Sequence, residues 1–341
     1  MATIKDVARQ AGLSITTVSR ALNDYADVSE ATRTRVRAVA RDLDYHPSAV
    51  ARSLQRSRTN AIGLAIPAVL HRCYDAFWLE FIGGVASVCA VRGKDLVVSL
   101  AAEEGCEDVQ HSYQRLVRER RVDGMLVCDV RCDDERIRYL QRQQLPFVAF
   151  GRTVERQDYA FVDIDSTLGA VQAVRCLVAL GHRRIAYLGV DPTFGFSHYR
   201  YAGYHRALVE AGIALDETLV HHALRETDAL DAVTVLLARR DRPTAIFTAA
   251  DFLALNVLRA ARACDLRVPD DLSVLTFDDN ILVEHAQPPL TAMGQENRRL
   301  GEESAALLLD RIQTPDAPVV QRLLTPSLTV RASTAPPPTA L

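Results

Sequence analysis

Apolar positions between residues 2 and 46 recur with helical spacing. Ile4, Val7, Ala8 and Ala11 form one stripe that stops at Gly12. Thr3 with Asp6 three residues on has the spacing of a capping box, and Gly12 suits a left-handed helix end. Ser14 heads a second helix whose packing face is Thr17, Val18, Ala21 and Leu22, which leaves Ile15, Thr16, Ser19 and Arg20 pointing elsewhere. Ser29 heads a third, with Glu30 at its positive end and Val36, Val39, Ala40 and Leu43 as the apolar stripe. The three stripes suffice for a tiny shared core. A fourth, short helix is expected from Pro47, with Val50 and Leu54 on one face and Arg52, Arg56 and Arg58 without one acid. At about two turns it is too short to hold by itself in water.

From Ala61 the pattern changes to short β-rich runs separated by amphipathic stretches. AIGLAIP, DLVVSLA, GMLVCDV, PFVAFG and AFVDID alternate with helices expected at 77–92, 109–120 and 137–143. The rhythm resumes with helices at 168–180, 200–211, 233–237, 252–264 and 298–312 around RIAYLG, TAIFTA and LSVLTF. Continuous apolar strands fed by helices are βα units of parallel sheets buried on both faces. The expected fold is a small all-α helix-turn-helix headpiece followed by two doubly wound, interleaved α/β subdomains. Ligands of such sheets bind beyond the carboxyl ends of the strands, so two of them make a cleft suited to a small molecule.

A two-domain α/β enzyme would share this pattern, so the chemistry decides. There is no GxGxxG in the first βα turn, no GxxxxGK[ST], no GxSxG and no HExxH. Asp278 and Asp279 are adjacent after a strand and point in opposite directions, which does not suit a shared proton. Cys128 and Cys132 with His71 or His182 make no metal spacing. Neither an enzyme, a metal site nor a cofactor is expected.

Composition narrows the class. The 341 residues are 48% hydrophobic and 24% charged, ordinary for a globular chain. No apolar run is long enough to span a membrane, and the N-terminus lacks a secretion pattern. Seven scattered cysteines (73, 89, 106, 128, 132, 176 and 264) fit a reducing cytoplasm better than a disulfide framework. The net charge is −3, but it is split. Residues 1–60 hold ten Arg or Lys against six Asp or Glu, net +4, on an acidic body. A helix, a glycine turn and a second helix on a basic head is the layout that places a helix in the DNA major groove.

The wording of the head is more specific than its pattern. TIKDVARQAGLSITTVSRALN and VSEATRTRVRAVARDLDYHPSAVARSL resemble the N-terminal headpiece of the lactose-repressor family, especially its purine-repressor branch, over residues 2–54. The resemblance implies that Ile15, Thr16 and Arg20 face base edges. It also implies that the short fourth helix enters the minor groove of double-stranded operator DNA beside its dimer mate, with Leu54 prying apart a base step. Arg20 could fork onto guanine O6 and N7. The alternative for Arg20 is a surface charge paired with Asp24 one turn on. Thr3, Thr17, Asn23 and the hinge arginines suit phosphates, and Ser14 and Ser19 lie on the same contact face.

The body carries the resemblance onward. VDGMLVCD, PFVAFGR, VDIDSTLGA, LGHRRIAYLG, RYAGYHRAL, RVPDDLSVLTFDD and PPLTAMGQ look like successive motifs of the family's periplasmic-binding-protein-like effector domain. By match, Arg200 and Asp278 would hold ligand hydroxyls, a donor and an acceptor suited to vicinal diols. Phe77 and Trp78 would supply an apolar wall, and Arg152 and Asp129 would reach in from the first half. One departure is that many members have Asn before the Asp where TAADFLAL has Ala250 before Asp251. That position loses an amide for a ligand hydroxyl.

The domains are expected at 1–46 (headpiece), 47–60 (hinge helix and linker), 61–334 (effector binding and dimerisation) and 335–341, a tail TAPPPTAL end too rich in proline and small residues to order itself. The resulting expectation is a cytoplasmic, homodimeric, sequence-specific repressor controlled by a small molecule, with a sugar favoured. A purine- or nucleoside-responsive regulator is the alternative, and a cleft protein without DNA binding is a third.

Overall fold

A computed structural model of the chain describes residues 2–46, 59–67, 76–101, 106–223 and 226–338. The expected fourth helix, with Leu54 and its arginines, lies outside the described residues. The chain divides into two compact units, residues 1–60 and 61–341.

In the first unit, α1 (Ile4–Ala11), α2 (Ile15–Leu22) and α3 (Glu30–Asp42) pack around Val7, Ala11, Val18, Ala21 and Val36, none of which touches solvent. The Asp6 carboxylate accepts from the Thr3 amide at 3.0 Å and the Thr3 hydroxyl at 2.7 Å. Gly12 ends α1 in the left-handed conformation (φ 64°) that a side chain would disfavour. Ser14 Oγ accepts from the Thr17 amide at 3.0 Å and Ser29 Oγ from the Thr32 amide at 3.3 Å, so both serines close helix starts whose amides would otherwise lack acceptors.

The second unit holds two six-stranded sheets. The first runs β11 (Gln321–Leu324), β5 (Phe161–Ile164), β4 (Phe147–Phe150), β3 (Gly124–Val127), β1 (Ala61–Pro67), β2 (Asp95–Ala101). The second runs β12 (Ser327–Thr329), β10 (Thr291–Gly294), β9 (Ser273–Phe277), β8 (Ala245–Thr248), β6 (Ile185–Val190), β7 (Val220–Ala223). Among the described residues all strand pairings are parallel except β10 with β12. Strands β3, β5, β6, β8 and β9 are buried along their whole length, as apolar runs between two helical layers should be.

On the first sheet, α4 (Ala76–Val91) covers one face and α5 (Cys106–Arg118) with α6 (Glu135–Arg142) the other. On the second, α7 (Ser166–Ala179) and α8 (Gly195–Glu210) face α9 (Glu226–Leu237) and α10 (Asp251–Ala263) across the strands. A one-turn helix, α11 (Ile281–Glu284), precedes β10. The long α12 (Asn297–Gln313) follows it, yet packs its Leu300, Leu307, Leu308 and Ile312 into the core of the first sheet. The chain therefore passes between the subdomains three times: after β5, after β10 and between β11 and β12. Close crossing of α4 and α12 requires glycine, because a Cβ on Gly301 would stand 2.1 Å from the Phe81 carbonyl oxygen and one on Gly84 2.1 Å from that of Arg298.

The first residue of the tail, Ala335, is tied to the second sheet. Buried His182 meets Thr244 Oγ1 at 2.9 Å, Ser273 Oγ at 3.0 Å and the Ala335 carbonyl at 2.9 Å, and the Ala335 amide donates to Ser273 Oγ at 3.0 Å. Proline and small residues carry no order of their own, but here the second sheet supplies the hydrogen bonds. Strands β7, β10, β11 and β12 are absent from the sequence reading, because three or four residues with mixed polarity give too little periodicity to register.

Candidate DNA-reading helix and effector site

The N-terminal half of α2 presents its expected residues to solvent. Ile15 is 45% exposed, and Thr16 and Arg20 are also open, whereas Thr17 and Ser19 are half-buried. Ser14 and Thr17 share a hydroxyl contact at 2.8 Å, and Asn23 Nδ2 donates to the Ser19 carbonyl at 2.8 Å. Arg20 does not pair with Asp24. Its Nε donates to Asp27 Oδ1 at 3.1 Å, its Nη2 also meets Asp27, and its guanidinium lies 5.1 Å from the Tyr25 ring centre. Asp24 takes a left-handed backbone (φ 58°) and gives its carboxylate to Arg37 of α3 instead.

In the body, the start of α8 abuts the first subdomain. The Gly195 amide donates to the Val130 carbonyl at 2.8 Å, and a Cβ there would sit 2.1 Å from the Arg152 carbonyl oxygen. Glycine lets α8 begin against the neighbouring backbone. One turn on, Arg200 is 3% exposed and its guanidinium lies 3.7 Å from the Phe277 ring centre and 4.9 Å from that of Phe196. Asp278, at the carboxyl end of β9, faces it at 3.3 Å and 3.4 Å. Charge-assisted hydrogen bonds normally close to about 2.7–2.9 Å, so this pair is loosely made. Arg200 also donates to the Ala249 carbonyl, while Asp278 accepts from Gln295 just beyond β10. The Arg200 Nε is buried without an acceptor.

Burial pushes the Asp278 carboxyl up to about 6, against the pull of Arg200 and with the push of Asp251. Asp251 is itself raised by burial, held by Asn280 Nδ2 at 2.6 Å and by the Phe252 amide at 2.7 Å. Asp279 turns away to Arg331 at 2.7 Å, so the adjacent carboxylates serve different partners.

From the first half, Arg152 donates to Asp163 at 2.7 Å and stacks 4.2 Å from the Tyr199 ring centre, next to Arg200 on α8. Burial also lifts Asp163 to about 6, with Arg152 and Arg200 drawing it down. Asp129 has a left-handed backbone (φ 49°) and its carbonyl accepts from Arg136 at 2.9 Å. The aromatic wall needs correction at Trp78. That ring is 5% exposed and lies edge-on to Phe81 inside the core of the first sheet, because two successive helical residues cannot both face one cleft. Phe77 is half-buried, 5.4 Å from the Phe150 ring centre.

Thus Arg200 and Asp278 are brought together, with Arg152 linked to them through Asp163 and Tyr199. Phe196, Gln295, Asn280 and Asp163 were not singled out from the sequence. Gln295, closing the run PPLTAMGQ, and Asp163, in VDIDSTLGA, carried a signal there.

Residues 3–48 match the model of bacterial regulatory proteins of the lacI family, and residues 174–334 match the periplasmic binding protein-like domain. The HTH-type transcriptional repressor PurR of Photobacterium profundum is 34% identical over 335 residues, 98% of each chain. The chain belongs to the lacI family. Among solved structures, a transcriptional regulator CelR–cellobiose complex is similar with a TM-score of 0.75 and 32% identity, covering 98% of this chain and all of that one. A lac repressor dimer bound to operator and an anti-inducer gives a TM-score of 0.84 at 28% identity over 98% of this chain and 99% of that one. The fold class follows: a helix-turn-helix headpiece and a two-sheet periplasmic-binding-protein-like body. The protein is a DNA-binding transcriptional regulator, not an enzyme. Among the described residues no helix is long and apolar enough to cross a membrane, and no cluster of His, Cys, Asp and Glu is placed for a metal ion.

Proposed function

We propose that the protein acts in the cytoplasm as a homodimeric repressor of a pseudo-palindromic operator, with a sugar as its effector. The observation that carries the sugar reading is the loosely closed Arg200–Asp278 pair. A guanidinium held flat against Phe277 faces a buried carboxylate across 3.3 Å, which puts donors and an acceptor side by side for two adjacent hydroxyls. The likeness to a regulator solved with cellobiose supports the same class.

Arg200, Asp278 and Gln295 act from the second sheet, with Arg152, Asp129 and Phe77 on the side of the first. Asp251 has both oxygens engaged internally, and with Ala250 beside it that strand end offers a hydroxyl little. On the head, Ile15, Thr16 and Arg20 read bases, Thr3, Ser14, Thr17, Ser19 and Asn23 lie against the backbone, and Leu54 wedges the centre of the operator. Effector binding across the two subdomains shifts the balance between two arrangements of the body. A coupling of about 1–3 kcal/mol is enough to change operator affinity 5- to 150-fold.

A purine or nucleoside effector is the second reading, favoured by the headpiece resemblance. The likeness to a PurR repressor runs over 98% of each chain, so it supports this reading in the body as well as the head. Thermal-shift screening against mono- and disaccharides, sugar phosphates, purines and nucleosides decides between them. A ligand at 100 times its Kd stabilises by about 2.7 kcal/mol. Stabilisation by purines alone, or persistence of a sugar shift in Arg200→Met, defeats the sugar site.

A further inference from the structure

The exposed end of α2 contains a contact that the DNA-reading model leaves unused. A guanidinium has two donor edges, one formed by Nε with one terminal nitrogen and one formed by the two terminal nitrogens. In Arg20 the first edge is taken: Nε donates to Asp27 Oδ1 at 3.1 Å and Nη2 meets Oδ2. The second edge stays open, and its two terminal nitrogens can fork onto guanine O6 and N7. Below the plane, the Tyr25 ring centre lies 5.1 Å from the guanidinium carbon.

The carboxylate is itself fixed. The turn 23–28 that carries it is tied to α3 at both ends, by Arg37 on Asp24 and by Arg33, whose Nε and Nη2 donate to the Val28 carbonyl at 3.1 Å and 2.8 Å. Within the turn, the Tyr25 amide donates back to the Arg20 carbonyl at 3.1 Å and the Val28 amide to the Tyr25 carbonyl at 3.1 Å. A pair this exposed (44% and 54%) adds little to stability. Its effect falls on geometry, because an unrestrained arginine loses rotamer freedom when it engages a base.

The geometry points to Asp27 as a positioning residue for operator specificity: it grips the rear edge of Arg20 so that the front edge meets a guanine already oriented. This rests on Arg20 reading a base edge. It also accounts for an acid on the basic face, where a carboxylate would otherwise oppose phosphates.

The test uses the full chain and duplexes selected by it from a randomised pseudo-palindromic pool, with every base pair of one half-site varied in turn. Arg20→Ala should collapse the preference at one base pair by roughly 5- to 150-fold. Asp27→Asn should lower the same preference, and no other, by roughly three- to tenfold. It should add nothing in the Arg20→Ala background, and the salt dependence should stay unchanged, since no phosphate contact is lost. If Arg20→Ala abolishes the preference while Asp27→Asn preserves it, the positioning role falls and base reading stands. If Asp27→Asn shifts affinity for all duplexes alike, the carboxylate acts on phosphates or on the fold, and the proposal falls. If Arg20→Ala leaves every preference intact, base reading itself falls and takes the proposal with it.

Discussion

Replacing Asp278 by Asn separates the stability of the effector domain from its function. Burial holds the folded-state carboxyl at about 6, against an ordinary 3.8. The folded protein therefore keeps this proton more readily than the unfolded chain. Below about pH 4 both states carry it, and the site costs nothing. Through pH 4 to 6 the proton is lost from the folded state only at an energetic cost, so stability falls as pH rises, and above 6 the full penalty applies. A shift of about two units corresponds to roughly 3 kcal/mol. The neutral, isosteric amide of Asp278→Asn removes that penalty and keeps an oxygen for Gln295, at the expense of the 3.3 Å pairing with Arg200. Urea unfolding followed at pH 4 and pH 7.5 should show the variant equal to the parent at the lower pH and more stable, by up to about 3 kcal/mol, at the higher. Asp163 is raised by burial in both proteins, so the difference reports Asp278 together with its coupling to Asp251. Effector affinity should move the other way, dropping roughly 10- to 150-fold, the worth of hydrogen bonds to a charged acceptor. A variant less stable than the parent at pH 7.5, with no dependence on pH, would show that Arg200 stabilises the carboxylate outright. The view of Asp278 as an acceptor held ready for ligand would then fail.

Three further outcomes follow from the packing. Gly301→Val should cost 3 kcal/mol or more, about the upper end of overpacking penalties, because the new Cβ meets the Phe81 carbonyl at 2.1 Å and backbone cannot yield as a side chain does; unchanged unfolding midpoints would contradict the crossing of α4 and α12. Ser29→Ala should lower headpiece stability by about 1 kcal/mol without altering effector binding, measured by hydrogen exchange of α3 amides. His182→Ala removes partners of Thr244, Ser273 and the Ala335 carbonyl, and should release the C-terminal segment to limited proteolysis; equal protease resistance would show that the tail is held otherwise.

The sequence by itself determined whatever is local. Ser14, Ser29 and Gly12 fix where helices begin and end, because a cap satisfies amides within three residues and a left-handed end needs only a glycine. The apolar runs of β1, β3, β6, β8 and β9 were legible for the same reason: burial on both faces leaves a mark in each run. The family resemblance brought Arg200 and Asp278 into view, yet nothing in their spacing of 78 residues says that they meet. That meeting was decided by strand order, which sets β9 beside β8 and brings α8 over their ends. Likewise Arg20 chose Asp27 over the nearer Asp24 because a left-handed residue turned the latter toward Arg37. The short strands β7, β10, β11 and β12 formed because neighbouring strands offered them hydrogen bonds, and Trp78 entered the core because Phe81, one turn on, lies there to meet its ring. Periodicity and caps are written within a few residues. Partners far along the chain depend on its path through space, and only the folded backbone records that path.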